Sequence, residues 1–210
     1  GKVRMRFSQK PLYRFCLGAL QRSSEENSLC GDYFECFKTP DGMDVIVLSD
    51  GIGTGGRAAV DSAMAANLFS TLLKAGLSCE CALRVTNSAL LVKSEDESLA
   101  TLDVACLNPY TGQVRFYKAG GAPCFVRKSG RSAVLEQSSL PAGILRDISF
   151  ATAETKVTEG DILMLVSDGV VSSDTSWIQK IVKDWRGDAQ SLAEHITAKA
   201  ISQRGSARAD

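Results

Sequence analysis

Histidine is nearly absent from this chain: His195 is the only one, and it sits beside Ile196 at the edge of what reads as a terminal helix. The closest cysteines, Cys79-Glu-Cys81, have no matching second pair. With one imidazole and no paired thiol motif, the ligand set of a zinc site is missing. An excess of either charge is also lacking, since 24 Lys and Arg balance 24 Asp and Glu. No overall field attracts nucleic acid, and no nucleic-acid partner is expected. No apolar run approaches the ~18 residues that span a bilayer, and no signal peptide opens the chain. This segment is therefore expected to touch no membrane and to be cytoplasmic, although the parent protein could carry an anchor ahead of Gly1. Low-complexity linkers and long repeats are absent too, so 210 residues are read as one domain.

What is present is an ordinary globular balance, 44% hydrophobic and 23% charged, which allows a sizeable core. Seven cysteines, at 16, 30, 36, 79, 81, 106 and 124, are an odd number, and Cys106 and Cys124 lie inside apolar runs. They read as reduced, buried thiols and not as a disulfide frame.

Residues 12–19 alternate like a strand. Thr39-Pro-Asp-Gly42 between Phe34–Lys38 and Met43–Leu48 reads as a hairpin. Val45-Ile-Val-Leu48 is apolar on both faces, as expected of a strand buried between layers. Val60, Met64, Leu68, Leu72 and Ala75 follow helical spacing, with Gly76 placed to stop the helix. A second helix is expected over about Ser78–Lys93. Six β-rich stretches follow from Leu99 to Val166, and then two amphipathic stripes, Trp177/Ile178/Ile181/Val182/Trp185 and Leu192/Ile196/Ala200. Strands too closely spaced for βαβ units, framed by helix pairs, predict an α+β fold: a layered sandwich of mainly antiparallel strands flanked by helices.

One short phrase occurs twice. Val45-Ile-Val-Leu-Ser-Asp50-Gly51 and Leu163-Met-Leu-Val-Ser-Asp168-Gly169 are both apolar strands that end in Ser-Asp-Gly. A carboxylate where a buried strand emerges is costly unless a cation or donor compensates it. Glycine after it lets the backbone turn and bring its carbonyl near the same cation. If the strands are neighbours, the two carboxylates meet at one sheet edge, and hard oxygen ligands select Mg²⁺ or Mn²⁺. A plain Asp-Gly turn is the competing reading. Asp32, in Cys30-Gly-Asp32, and Asp210, the last residue, are further candidates, with a turn residue and a disordered tail as their plainer readings.

Taken in order, Gly31-Asp32, Ser49-Asp50-Gly51-Ile-Gly53, Thr101-Leu-Asp103, Gly120-Gly-Ala-Pro123, Leu140-Pro-Ala-Gly143 and Ser167-Asp168-Gly169 resemble the bacterial metal-dependent serine/threonine phosphatases. That is the protein phosphatase 2C superfamily, and within it the phosphatase domain of the stage II sporulation protein E type. The resemblance runs from about residue 12 to the end. It implies a binuclear Mn²⁺ or Mg²⁺ centre at one edge of a sandwich, with two ions held by Asp32, Asp50, the Gly51 carbonyl, Asp168 and Asp210. Asp50 would bridge, and Asp50 and Asp168 would be the catalytic pair. It further implies a phosphorylated protein substrate resembling an anti-anti-sigma factor, and metal binding gated by rotation of the helices behind Gly51. The family's terminal Asp-Asp-x-Thr motif stops here at its first Asp, so the closing strand is expected to be missing.

Two alternatives remain open. Gly51-Ile-Gly53-Thr-Gly-Gly56 has the wording of a dinucleotide fingerprint. However, Asp50 would crowd a pyrophosphate, and no acidic residue ends a second strand about twenty positions on. The other alternative is a non-catalytic signalling module on the same fold. Cys16 and Arg22 have the spacing of a thiolate phosphatase loop, but the segment reads as a continuing strand. Asp103, beside Thr101 in a strand, reads either as a carboxylate supporting the site from behind or as a structural one, and is left out of the ligand set.

Overall fold

The computed structural model describes residues 9–23, 29–53, 55–93, 98–136, 139–171 and 174–207. Asp210 lies outside the described residues.

Strands β1 (Asp32–Lys38) and β2 (Asp44–Asp50) form the expected hairpin. Its turn is closed by the Thr39 N–H on the Met43 carbonyl at 3.0 Å and the Gly42 N–H on the Thr39 carbonyl at 2.9 Å. Helices α1 (Gly55–Lys74) and α2 (Cys79–Lys93) follow. The rest comprises β3 (Leu102–Leu107), β4 (Gln113–Ala119), β5 (Cys124–Lys128), β6 (Arg131–Leu135), β7 (Ala151–Lys156) and β8 (Ile162–Met164), then helices α3 (Ser176–Asp184) and α4 (Ala189–Ala207).

The strands make two antiparallel sheets, β1-β2-β3-β4-β7 and β6-β5-β8. Three apolar layers hold them together. Val45, Val47, Phe69, Leu83, Leu90 and Val104 pack the larger sheet against α1 and α2. Leu107, Val114, Phe116, Val126 and Val157 fill the space between the sheets. Phe125, Ile178, Val182, Leu192 and Ile196 join the smaller sheet to α3 and α4. The helix-flanked sandwich is therefore as expected. β2 lies between layers because Val45 and Val47 face the helices while Ile46 faces the second sheet.

Gly76 ends α1 as expected. It has φ 91, its N–H reaches the Leu73 carbonyl at 2.9 Å, and the Leu77 N–H reaches the Leu72 carbonyl at 3.1 Å. This is the reciprocal closure of a Schellman motif, and a positive φ there favours glycine.

Two expectations fail. Residues 12–19 form no strand. Leu12 and Tyr13 both donate to the Pro109 carbonyl at 2.9 Å, and the Ala19 N–H goes to the Gln190 side chain at 3.0 Å. With its amides spent on a turn and a helix end, this stretch has no ladder to join, and Leu12 is left 74% exposed. The stripe assigned to α1 is also rotated. Val60 is 56% exposed, while Ala58, Asp61, Ser62, Ala65, Ala66 and Ser70 are buried. Small residues allow the helix to lie close to the sheet, and Lys93 Nζ pairs with Asp61 Oδ1 at 2.5 Å. The buried face thus combines small residues and that ion pair with the apolar Phe69 and Leu73.

Candidate functional site

The hairpin register sets Asp32, at the start of β1, directly opposite Asp50, at the end of β2. Asp168 arrives from the other sheet, four residues past β8. Ser167 links the two sheets: its hydroxyl donates to Asp32 Oδ2 at 2.8 Å. Side-chain hydrogen bonds join Asp50 to both Asp32 and Asp168. Three of the residues singled out from sequence, supplied by three separate segments, thus meet at one edge of the sandwich.

The backbone around Asp50 is held firmly. Its N–H donates to Thr101 Oγ1 at 3.0 Å, the Thr101 N–H donates to the Asp50 carbonyl at 2.8 Å, and Ser49 Oγ donates to the Thr101 carbonyl at 2.7 Å. The Gly51 N–H is satisfied by the Gly31 carbonyl at 3.2 Å. Gly51 must be glycine because a Cβ there would overlap the Ala58 carbonyl in the first turns of α1. The Gly51 carbonyl oxygen and Asp50 Oδ1 each lie 3.7 Å from the point where a Gly31 Cβ would stand. These two oxygens therefore face one small space beside a residue with no side chain.

A cavity of about 530 Å³ opens over this edge, lined among others by Asp50, Gly51, Thr101, Asp103, Gly121 and Asp168. Asp32 does not line it; its carboxylate meets Ser167 and Asp50 behind it. The Asp50 carboxyl is pushed up to about 8, first by burial and then by the charges of Asp32 and Asp168 and hydrogen bonds to them. Like charges close by disfavour the ionised form of Asp50, and a cation bound there would favour it. Among the described residues, no group of three or more His, Cys, Asp or Glu side chains is arranged to hold a metal ion by itself.

Asp103 was left out of the sequence-based site, yet it lines the cavity. It is buried and pairs with Lys118 on the neighbouring strand at 2.5 Å. Lys118 also donates to the Ala122 carbonyl at 2.7 Å. A Cβ on Gly121 would overlap the Asp103 carboxylate, so this pair shapes the Gly120-Gly121 wall. The apolar strand around Asp103 gave a signal, but its meaning depended on finding Lys118 across the β3–β4 ladder. His195 is a surface residue tilted against Trp185, with ring centroids 5.5 Å apart and an interplanar angle of 42°. The glycine run after Asp50 follows a strand paired antiparallel on both sides, unlike the parallel βαβ unit of a dinucleotide site. Among the described residues no helix is long and apolar enough to cross a membrane.

Comparison with known proteins gives the family and the fold. Stage II sporulation protein E of Bacillus subtilis (strain 168) is 25% identical over 211 residues, covering 97% of this chain and 26% of that protein. The phosphoserine phosphatase RsbU of the same organism is 26% identical over 190 residues, covering 86% of this chain and 56% of that one. The chain thus spans about a quarter of the first relative and just over half of the second. Among solved structures, the PP2C phosphatase domain of SpoIIE from Bacillus subtilis, with a fragment of its regulatory domain, superposes with a TM-score of 0.83 at 24% identity. The match covers 92% of this chain and 59% of that one, and the fold is that of the PP2C domain. A family model described as Stage II sporulation protein E (SpoIIE) matches residues 40–210, which is most of the chain, and this protein belongs to that family.

Proposed function

We propose that this domain is a protein-serine/threonine phosphatase that removes phosphate from phosphoserine or phosphothreonine, using divalent cations held at the Asp50 edge. The observation that supports this reading is the convergence of Asp32, Asp50 and Asp168 from three distant segments, with the Asp50 carboxyl raised by burial and by the other two. Oxygen donors alone, carboxylate and carbonyl, suit Mn²⁺ or Mg²⁺. Asp50 and the Gly51 carbonyl face one space, Asp168 approaches from the second sheet, and Asp32 supports Asp50 from across the hairpin. Two such ions, when bound, lower the pKa of water and neutralise charge on the phosphoryl oxygens.

The chain's own residues do the rest. Thr101 and Ser49 hold the Asp50 main chain in place, and Ser167 fixes the Asp32 carboxylate. Glycine at 51 lets the chain pass against the Ala58 carbonyl, and glycine at 121 leaves room for the Asp103 carboxylate. The substrate proposed, on the strength of the family, is a phosphorylated protein resembling an anti-anti-sigma factor, dephosphorylated on the cytoplasmic side. Asp210, as a further ligand, rests on the resemblance alone.

Hydrolysis of a generic aryl phosphate with Mn²⁺ tests the reading. Wild type should turn over only with Mn²⁺ or Mg²⁺, and Asp50→Asn should lose ~10²-fold or more of that rate if charge neutralisation and water activation pass through this residue. Turnover unaffected by chelator, or an Asp50→Asn variant as fast as wild type, would refute it.

A further inference from the structure

Away from the acidic edge, two thiols lie in contact. Cys79 Sγ and Cys106 Sγ are 3.2 Å apart. Cys79 is the first residue of α2 and Cys106 lies in β3, so the contact bridges the helix layer and the larger sheet. We propose that Cys79 and Cys106 are a peroxide-responsive pair that forms a disulfide, fastening α2 to the sheet that carries Asp50.

The surroundings divide the two roles. Cys79 is half-buried and Cys106 buried. Cys79 stands in the first turn of α2, whose Cys81 N–H is capped by Ser78 Oγ at 3.3 Å. A thiolate is favoured at a helix N-terminus and beside a guanidinium. Arg115 is the cross-strand partner of Cys106. The Cys79 thiol is held below its ordinary value, mainly by its hydrogen bond with Cys106, with help from Arg115 and Tyr117 and against the effect of burial. Cys106 is held up by the same contact and by burial. The more accessible sulfur is thus the nucleophile, and the buried one is its adjacent resolving thiol. The exposed Cys16, Cys36 and Cys81 have no thiol contact of this kind recorded among the described residues.

The chemistry balances with hydrogen peroxide as oxidant. The Cys79 thiolate attacks one peroxide oxygen, an S–O bond forms, the O–O bond breaks, and the departing hydroxide takes a proton to become water. Cys106 sulfur then attacks the Cys79 sulfur. The S–S bond forms, the S–O bond breaks, and the hydroxide released takes the Cys106 proton as a second water. Two thiols lose two electrons and one peroxide gains them. Closing the bond needs the sulfurs to approach by roughly 1.2 Å to reach the ~2.05 Å of a disulfide, and Cys79 follows directly on the Gly76-Leu77-Ser78 bend that joins the two helices.

The test exposes the reduced protein to hydrogen peroxide, blocks remaining thiols with N-ethylmaleimide, and maps peptides without reduction. The expected result is a Cys79–Cys106 linked peptide as the main product. Tm should rise by roughly 5–10 °C, as for closure of a loop of this size in a domain of this length, and dithiothreitol should reverse it. Cys81→Ser should behave as wild type, and Cys79→Ser should gain no Tm. A Cys79–Cys81 link, Cys79 accumulating as sulfinic acid without a link, or a reversible Tm gain persisting in Cys79→Ser would each overturn the proposal.

Discussion

Asp50 and Asp103 line the same cavity from neighbouring strands, but they meet opposite electrostatic situations. Asp103 is the more deeply buried, at 2% exposure, and burial raises it to about 6 while the Lys118 ammonium opposes that rise. Asp50 is only half-buried yet is raised further, to about 8, first by burial and then by the added charges of Asp32 and Asp168, with no cation opposing them among the causes. Burial alone would rank them the other way. The sign of the adjacent charge decides which carboxylate has its counter-charge within the fold and which is crowded by its own kind.

The contrast can be broken most forcibly from the Lys118 side. Lys118→Met leaves Asp103 buried without its cation and should cost about 3–5 kcal/mol in denaturant unfolding, as loss of one partner of a buried pair does. The double variant with Asp103→Asn should recover part of that loss. An Asp103 that owed nothing to Lys118 would show no such recovery.

A pH series on metal-free protein sharpens the other half. Between about 4 and 8 the native state keeps a proton on Asp50 that the unfolded chain, with an ordinary Asp near ~3.9, has released. The native state binds more protons in that window, so stability should fall as pH rises through it. Asp103 adds a loss of the same sign up to about 6. Mn²⁺ competes with the proton on Asp50, so its gain in Tm should be larger at pH 8 than at pH 6, and Asp50→Asn should flatten that difference. An equal gain at both values would count against cation binding at Asp50.

The smallest effect is expected at Ser167. Ser167→Ala removes the 2.8 Å hydrogen bond to Asp32, worth ~0.5–1.5 kcal/mol. Mn²⁺ affinity by calorimetry should weaken several-fold, with the fold intact.

Much of this was legible before the structure. The paired Ser-Asp-Gly endings, the hairpin at Asp41-Gly42, the Gly76 stop and the two terminal apolar stripes all follow from local chemistry. The strand expected over residues 12–19 failed because alternation shows only that a segment could join a ladder, and here its amides go to Pro109 and Gln190. The face of α1 was misjudged because Asp61, Ser62 and Ser70 are polar yet buried. Periodicity cannot anticipate a buried carboxylate that is matched by Lys93 on another helix.

By itself, then, the order of residues determined that Asp50 ends an apolar strand, that Ser-Asp-Gly recurs at Asp168 (four residues past the end of β8 in the fold), where glycine leaves the backbone free, and that no histidine set or net charge offers another chemistry. These are properties of a residue and its neighbours along the chain. Only the tertiary structure decided that Asp32, Asp50 and Asp168 share one edge, that Asp103 already has its lysine, and that two thiols 27 positions apart touch. Each of those depends on strand register and layer packing, and a charge or a sulfur acquires its chemistry from whatever the fold sets within a few ångströms of it.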